Sequence, residues 1–193
     1  MSEVIVDTLK HSGNSSTANL TLASNGNVSV AGALSAGSFT GSFGLFSSYA
    51  LIVDKKSQNT PGGALTQDTW NVRDLNHEVA DPDGIVSISS NKFTLGAGNY
   101  LIRWDCPAYE CNYHQSRLYD VTNSAVVFVG NCSYQQVGYN QARTGGAARV
   151  TPTGSTEYRI EHNCSSTKAN VGMGVQTNFG DEVFTQVEIY KEA

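Results

Sequence analysis

Glu110, Cys111 and His114 lie close together in the sequence, and they are residue types from which a nucleophilic site can be built. A thiol beside an imidazole can act as a nucleophile with its general base. The stretch from Cys106 to Cys111 also has the pattern of a strand end and loop that carry core thiols. We favour this second interpretation. No catalytic residue is assigned, and the chain is predicted not to be an enzyme.

Two other groupings could hold a metal ion. Glu161 and His162 are neighbours on a predicted strand, where adjacent side chains point to opposite faces, so they cannot share one ion without further ligands. The segment Asp81-Pro82-Asp83-Gly84 could offer carboxylate oxygens to calcium, but it lacks the twelve-residue calcium-loop pattern and is typical of a turn. We therefore predict no metal site and no cofactor.

The cysteines show none of the Cys-x-x-Cys spacing that zinc and redox motifs require. Free cysteine is among the most frequently buried residue types. The sequence therefore favours structural, mostly buried thiols over disulfides or metal ligands. The four residues concerned are Cys106, Cys111, Cys132 and Cys164.

Tyrosines and side-chain amides are concentrated between residues 109 and 141. Tyrosine offers a flat stacking surface and amides offer paired hydrogen bonds, and both serve sugar recognition as well as protein interfaces. Two interpretations therefore stay open, subunit contacts and glycan binding, and subunit contacts are favoured if the protein is a trimer. The predicted contact residues are Tyr109, Tyr113, Tyr119, Tyr134 and Tyr139.

The charge of the chain argues against a nucleic-acid partner. Its 193 residues carry a formal net charge of -5 and only 12 Lys and Arg, too few for a clustered basic surface. The longest apolar runs, such as Ala125 to Val129, fall far short of the roughly 20 residues that span a bilayer. Met1 to Lys10 lacks the layout of a signal peptide. We expect a soluble protein, made in the cytoplasm, with no membrane partner.

The N-terminal region is nearly free of charge. The 43 residues from His11 to Val53 contain no Asp, Glu, Lys or Arg, and 29 of them are Ser, Thr, Gly, Asn or Ala. Apolar residues nevertheless recur at short spacings, unlike in a disordered linker. We therefore predict a β-rich stem over residues 1–48 that several copies complete for one another. Its predicted assembly and attachment residues are Val4, Ile5, Val6, Leu9, Leu20, Leu22, Val28, Val30, Leu34, Phe39 and Phe43.

Alternation within the stem predicts short strands. Glu3 to Leu9 is rich in β-branched residues and reads as one strand. Asn25-Gly26 separates Leu20–Leu22 from Val28–Val30, and both of its residues tolerate the positive φ of a hairpin turn. The first strand is predicted to attach to another protein.

The sequence of residues 49–193 predicts an all-β domain, because short runs of alternating apolar and polar residues are separated by turn signals and no run is typical of a helix. Gly145-Gly146 is one of those predicted turn signals. A sandwich of the jelly-roll type is the expected fold. The predicted strands are Ala50–Val53, Trp70–Leu75, Val86–Ile88, Lys92–Leu95, Asn99–Ala108, Ser116–Asp120, Ala125–Cys132, Ala147–Val150, Glu157–Cys164 and Glu182–Lys191.

Three pieces of this domain occur in a recognisable order. They are Trp70-Asn-Val-Arg-Asp-Leu-Asn76, Phe93-Thr-Leu-Gly-Ala-Gly-Asn-Tyr-Leu-Ile-Arg-Trp104 and Val183-Phe-Thr-Gln-Val-Glu-Ile-Tyr-Lys191. Together they resemble the tumour-necrosis-factor-like and complement-head-like jelly roll of bacteriophage virion proteins. The opening Val4-Ile-Val-Asp-Thr-Leu-Lys10 is similar to the start of many phage fibre and virion surface proteins. The resemblance implies a homotrimer whose N-terminus is attached to the particle.

Two functions fit this resemblance. The first is a homotrimeric decoration or cement protein on a phage head, bound to the major capsid protein or another virion protein. The second is a short tail-fibre or receptor-binding protein whose knob recognises a host surface glycan or protein. Length favours the first, because residues 1–48 folded into hairpins give no long shaft. Either function places the protein in the virion.

Overall fold

The structure is a computed structural model that describes residues 45–136, 138 and 140–193, together with three short strands nearer the start of the chain. The chain divides into two compact units, Met1–Gly41 and Ser42–Ala193. The predicted sites Val4, Ile5, Val6, Leu34, Phe39, Phe43 and Tyr139 lie outside the described residues, as does the Asn25-Gly26 turn.

The first unit contains an antiparallel sheet of three short strands, β1 (Thr8–Leu9), β2 (Leu20–Leu22) and β3 (Val28–Val30), in that order. Leu20 lies opposite Val30 and Leu22 lies opposite Val28. This pairing agrees with the predicted hairpin. Only the last two residues of the predicted strand Glu3 to Leu9 are described, and they pair with β2.

The second unit is a sandwich of two antiparallel sheets. Sheet I has the order β11-β10-β13-β8-β7, with β5 beside β13, and sheet II has the order β12-β9-β14-β4-β6. The strands are β4 (Phe46–Lys56), β5 (Asn71–Val72), β6 (His77–Ala80), β7 (Val86–Ser89), β8 (Lys92–Leu95), β9 (Tyr100–Tyr109), β10 (Asn112–Asp120), β11 (Ala125–Gln135), β12 (Gln141–Val150), β13 (Thr156–Cys164) and β14 (Glu182–Glu192).

Strand neighbours that are far apart in sequence, such as β9 and β14 or β10 and β13, show that the chain crosses repeatedly between the two sheets. This topology confirms the predicted all-β jelly roll. The part of the chain that the structure describes contains no helix long and apolar enough to cross a membrane.

The core lies between the two sheets, because the strands alternate buried and exposed residues. On β9, for example, Tyr100, Ile102 and Trp104 are buried, whereas Arg103 is exposed. Burying one such large apolar side chain contributes about 1.5–3 kcal/mol. The fully buried members of the core include Ile52, Leu75, Phe93, Leu95, Ile102, Leu118, Ile160, Val187 and Ile189.

The prediction that Gly145-Gly146 marks a turn is wrong, because both glycines lie inside β12. They pair with Asp105 and Trp104 on β9. A Cβ atom on Gly145 would overlap the carbonyl oxygen of Trp104, and one on Gly146 would lie 2.6 Å from the indole ring. The glycines therefore allow β12 to approach β9 and its tryptophan closely.

The predicted strand Trp70–Leu75 is also shorter in the structure. Only Asn71–Val72 forms β5, beside β13. A few residues later the N–H of Asn76 donates to the carbonyl oxygen of Val53 on β4. The segment thus leaves sheet I for sheet II. The adjoining strand β6 was not predicted, because His77, Glu78 and Val79 are exposed and give no buried alternation.

Candidate functional site

The four predicted contact tyrosines that the structure describes do not form one cluster. Tyr113 on β10 and Tyr134 on β11 are cross-strand partners, and their ring centroids lie 4.8 Å apart. Both are largely exposed. Tyr119 lies further along β10, and Tyr109 is at the end of β9, where the ammonium group of Lys168 is 5.7 Å from its ring centroid. Of these four described tyrosines, the structure therefore brings together Tyr113 and Tyr134.

A charged and aromatic cluster covers the outer face of sheet I. The Glu161 carboxylate is buried and bonds Arg117 Nε at 2.6 Å and Arg159 Nε at 2.7 Å. The Arg117 guanidinium lies 3.9 Å from the Trp70 ring centroid, and Arg159 lies 4.9 Å from that of Tyr119. These contacts hold both arginines and the Trp70 ring in place.

A groove of about 350 Å³ lies beside this cluster, and we call it the outer groove. Gln115 on β10 and Asn163 on β13 are cross-strand partners in its lining. Trp70 and Tyr113 also line it. Sequence analysis did not identify this groove. The alternation of Tyr113, Gln115, Arg117 and Tyr119 on β10 was the one available signal, because residues two apart share a face of a strand.

The interior of the sandwich holds a polar cluster near Arg73. The Arg73 guanidinium is fully buried and donates to Thr185 Oγ1, to the carbonyl oxygen of Pro107 and to that of Met173 at 2.8, 3.1 and 2.9 Å. His114 and His162 are buried as a pair, with Nδ1 of the first 3.0 Å from Nε2 of the second. These contacts tie loops and strands of both sheets together.

Burial lowers the pKa of both imidazoles, and the nearby positive charge of Arg73 lowers each further. The pKa of His114 falls to about 4, and that of His162 lies well below its usual value. Both rings are therefore neutral at pH 7. One ring donates the shared hydrogen bond and the other accepts it.

Cys111 and His114 do not form the thiol and imidazole pair that the sequence disfavours. Cys111 Sγ donates to the carbonyl oxygen of Tyr109 at 3.0 Å, and His114 Nδ1 is engaged by His162. A hydrogen bond with Cys164 and burial raise the pKa of Cys111, so its thiol stays protonated. Glu110 forms an ion pair with Lys168 instead. The geometry agrees with the interpretation of this stretch as a strand end carrying core thiols.

All four cysteines are free thiols; Cys106, Cys111 and Cys164 are buried and Cys132 is exposed. Glu161 and His162 point to opposite faces of β13, as predicted, with the glutamate in the outer cluster and the histidine inside. The carboxylate of Asp81 accepts hydrogen bonds from the backbone N–H groups of Ile85 and Val86, so the segment from Asp81 to Gly84 is a turn. Within the described residues, no group of three or more His, Cys, Asp or Glu could hold a metal ion.

Apolar residues are exposed on β11, the strand that ends sheet I and lies beside β12 of sheet II. Phe128 is 50% exposed although it contacts Trp104 edge-on, with ring centroids 6.5 Å apart. Val126 and Val129 are 45% and 41% exposed. Because their partners on β10 are Tyr119 and Arg117, both valines lie on the outer face of sheet I.

A second apolar surface lies on sheet II, near the start of β4. Leu45 is 84% exposed, Tyr49 is 50% exposed, and Phe46 packs on Tyr190 with ring centroids 5.1 Å apart. Leu45, Phe46 and Leu101 line a shallow hollow of about 430 Å³. The rest of this face is charged, with Arg143 paired to Asp105 and Arg103 near Glu188.

No protein-family model and no curated protein sequence matches the chain. The fold, however, is similar to solved structures. Murine APRIL (pH 8.0) has 9% sequence identity and a TM-score of 0.51 over 75% of this chain and 98% of its own. Eiger TNF from S. frugiperda has 10% identity and a TM-score of 0.52 over 75% and 92%.

The globular domain of zebrafish complement 1qA also matches, with 12% identity and a TM-score of 0.49 over 74% of this chain and 95% of that domain. Nothing in these likenesses indicates a bacteriophage origin. At such low identity they concern the fold alone. The two likenesses with a TM-score above 0.5, to murine APRIL and Eiger TNF, show that the described part of the second unit has a jelly-roll fold similar to theirs.

Proposed function

We propose that this protein is a homotrimeric structural protein of a bacteriophage virion, which decorates or cements the head shell. The observation that carries the trimer is the pair of exposed apolar surfaces on one chain: the β11 edge around Phe128 and the sheet II surface around Phe46 and Tyr49. Single exposed apolar residues are ordinary on a protein surface, but two clusters of them suit an interface.

The two surfaces differ in sequence and lie on different sheets, so one subunit can present its β11 edge to sheet II of the next. Such a head-to-tail contact closes into a ring when the rotation between subunits is right. A stable contact buries about 800 Å² on each partner. Three subunits arranged in this way around an axis would cover both apolar surfaces on every chain.

The phage assignment draws its support from the sequence. Val4 to Lys10 resembles the start of virion surface proteins, and the stem that follows lacks charge. In the proposal, residues 1–48 bind the major capsid protein or another virion protein, and the jelly roll is the projecting knob. The protein acts without catalysis, metal or nucleic acid.

A short tail-fibre or receptor-binding protein is the second candidate function. The observation that favours it is the exposed Tyr113–Tyr134 pair on the outer face of sheet I. A solvent-facing pair of tyrosines in contact is a suitable surface for recognition.

The trimer is tested by sedimentation of the purified protein. We expect a mass three times the 20.6 kDa of one chain at micromolar concentration. Phe128→Asp should shift the protein towards monomer, because a carboxylate at the centre of an apolar contact is costly to desolvate. Circular dichroism will verify that the variant is folded.

Phe179→Asp is the matched control for this experiment. Phe179 is also an exposed aromatic residue, but it lies in the loop before β14, away from both apolar surfaces. We expect this variant to remain trimeric. A wild-type protein that stays monomeric at micromolar concentration would contradict the proposed assembly.

A further inference from the structure

The outer groove runs across three strands of sheet I. Gln115 and Asn163, which face each other on β10 and β13, contribute amides to its lining. Tyr113 precedes Gln115 by two residues and lies on the same face, while Trp70 comes just before β5 on the other side of β13. Two amides thus lie between two aromatic residues.

Both aromatic side chains have packing partners in the protein without a ligand. Trp70 packs against the Arg117 guanidinium, which the buried Glu161 carboxylate holds in turn. Tyr113 packs against Tyr134. A ligand that stacks on these rings therefore loses little affinity to ordering of the protein side chains.

The amides keep free hydrogen-bonding capacity. The Asn163 side chain, opposite Gln115, has no hydrogen-bond partner among the residues that the structure describes. Gln115 Nε2 donates to the carbonyl oxygen of Gly130 at 2.8 Å and also contacts Cys132, which leaves Oε1 as a free acceptor. A ligand would thus meet donors and acceptors at the same place.

The groove offers little to a charged ligand. Asp68 is the one carboxylate in its lining, and no Lys or Arg lines it among the described residues. The neighbouring Arg117 and Arg159 carry two formal positive charges, which the carboxylates of Glu161 and Asp68 balance with two negative ones. Aromatic rings with free amides and no net charge suit a ligand that combines apolar C–H faces with hydroxyl groups.

We propose that the outer groove binds a neutral oligosaccharide. A sugar ring stacks between Trp70 and Tyr113, and its hydroxyl or acetamido groups form hydrogen bonds with the amides of Asn163 and Gln115. This inference does not rest on the trimer or on the head location. Trp70 and Asn163 lie outside β11 and sheet II, so the two proposals can fail separately.

The test uses the full chain and three soluble probes, cellotetraose, maltotetraose and chitotetraose. Isothermal calorimetry and the change in tryptophan emission measure binding. We expect at least one probe to bind and to change the emission of Trp70, because Trp104, the second tryptophan, is buried in the core. Preference for chitotetraose would identify an acetamido group as the partner of the amides.

Asn163→Ala and Trp70→Ala should each weaken binding roughly tenfold, the loss that corresponds to one hydrogen bond or one stacked ring. Asn163→Ala keeps the test valid if Trp70→Ala fails to fold. Gln186→Ala, an exposed amide on sheet II, is the matched control and should bind like the wild type.

Three results would overturn the proposal. The first is no binding of any probe up to its solubility limit. The second is binding that Asn163→Ala leaves unchanged. The third is a loss of the trimer in Asn163→Ala or Trp70→Ala measured by sedimentation, which would assign the groove to subunit contacts.

Discussion

At the scale of single residues, the buried histidine pair decides how the protein responds to acid. Neither His114 Nε2 nor His162 Nδ1 has a hydrogen-bond partner in the described structure, and both rings are buried next to the Arg73 cation. A proton added to either ring therefore has no acceptor and an unfavourable charge nearby. The fold requires two neutral imidazoles.

We predict that the free energy of unfolding falls as the pH is lowered from 7.5 to 5. An unfolded histidine has a pKa of about 6.5, whereas the pKa of His114 in the fold is about 4. The unfolded chain thus takes up protons first. Each imidazole that stays neutral in the fold therefore lowers the free energy of unfolding by about 2 kcal/mol at pH 5. Urea denaturation at fixed protein concentration measures the effect.

Glutamine variants distinguish the buried pair from the rest of the protein. His162→Gln should lower stability at pH 7.5 but reduce its dependence on pH. His77→Gln is the control, because His77 is exposed on β6 and should leave the dependence unchanged. The same pH dependence in all three proteins would show that the pair is not its source.

At the scale of strands, the close approach of β12 to β9 depends on the absence of two side chains. Trp104 fills the space above Gly146, and its indole nitrogen donates to Ser116 Oγ at 2.8 Å on the opposite sheet. The tryptophan therefore joins the two sheets near the side where β11 and β12 meet. Gly145 and Gly146 leave the space that this contact between the sheets requires.

We predict that Gly145→Ala destabilises the protein by roughly 2 kcal/mol, because the new methyl group collides with the backbone of β9, which can move little. Gly154→Ala is the matched control, since nothing lies within 4 Å of a Cβ atom at that loop position. Thermal unfolding measures the stability of both variants. Equal stability of both variants would contradict the account of β12.

Alternation in the sequence predicts most of the strands, and β8 agrees at both ends. The same reasoning fails where packing between segments that are distant in sequence determines the local structure. Gly145 and Gly146 look like a turn until Trp104 is placed beside them. The outer groove depends on the register that sets Asn163 beside Gln115, and no local pattern contains that register.

At the scale of the whole molecule, the jelly roll has an exposed apolar surface on each of its two sheets. Val129 and Val126 on β11 pair with Arg117 and Tyr119, so the first surface adjoins the charged cluster around Glu161. The second surface lies on sheet II near Phe46. In the proposed trimer, a contact centred on Phe128 lies six residues along β11 from Tyr134 at the outer groove, so assembly and recognition would use different parts of this strand.

Copy number per particle distinguishes the two candidate functions. Quantitative mass spectrometry of purified virions should give hundreds of copies if the protein decorates the head, because a shell repeats its binding site many times. A handful of copies would instead place it on the tail and favour the receptor-binding function. The major capsid protein in the same sample supplies the internal reference.

The last residue of the chain returns to the beginning of the jelly roll. Ala193 donates its backbone N–H to the carbonyl oxygen of Leu45 at 3.2 Å, where β4 and β14 run side by side. In a variant without residues 1–44, a short peptide could therefore join these two residues without moving a strand. New ends opened at Gly180, just before β14, would give a circular permutant that carries any fused cargo at the other end of sheet II.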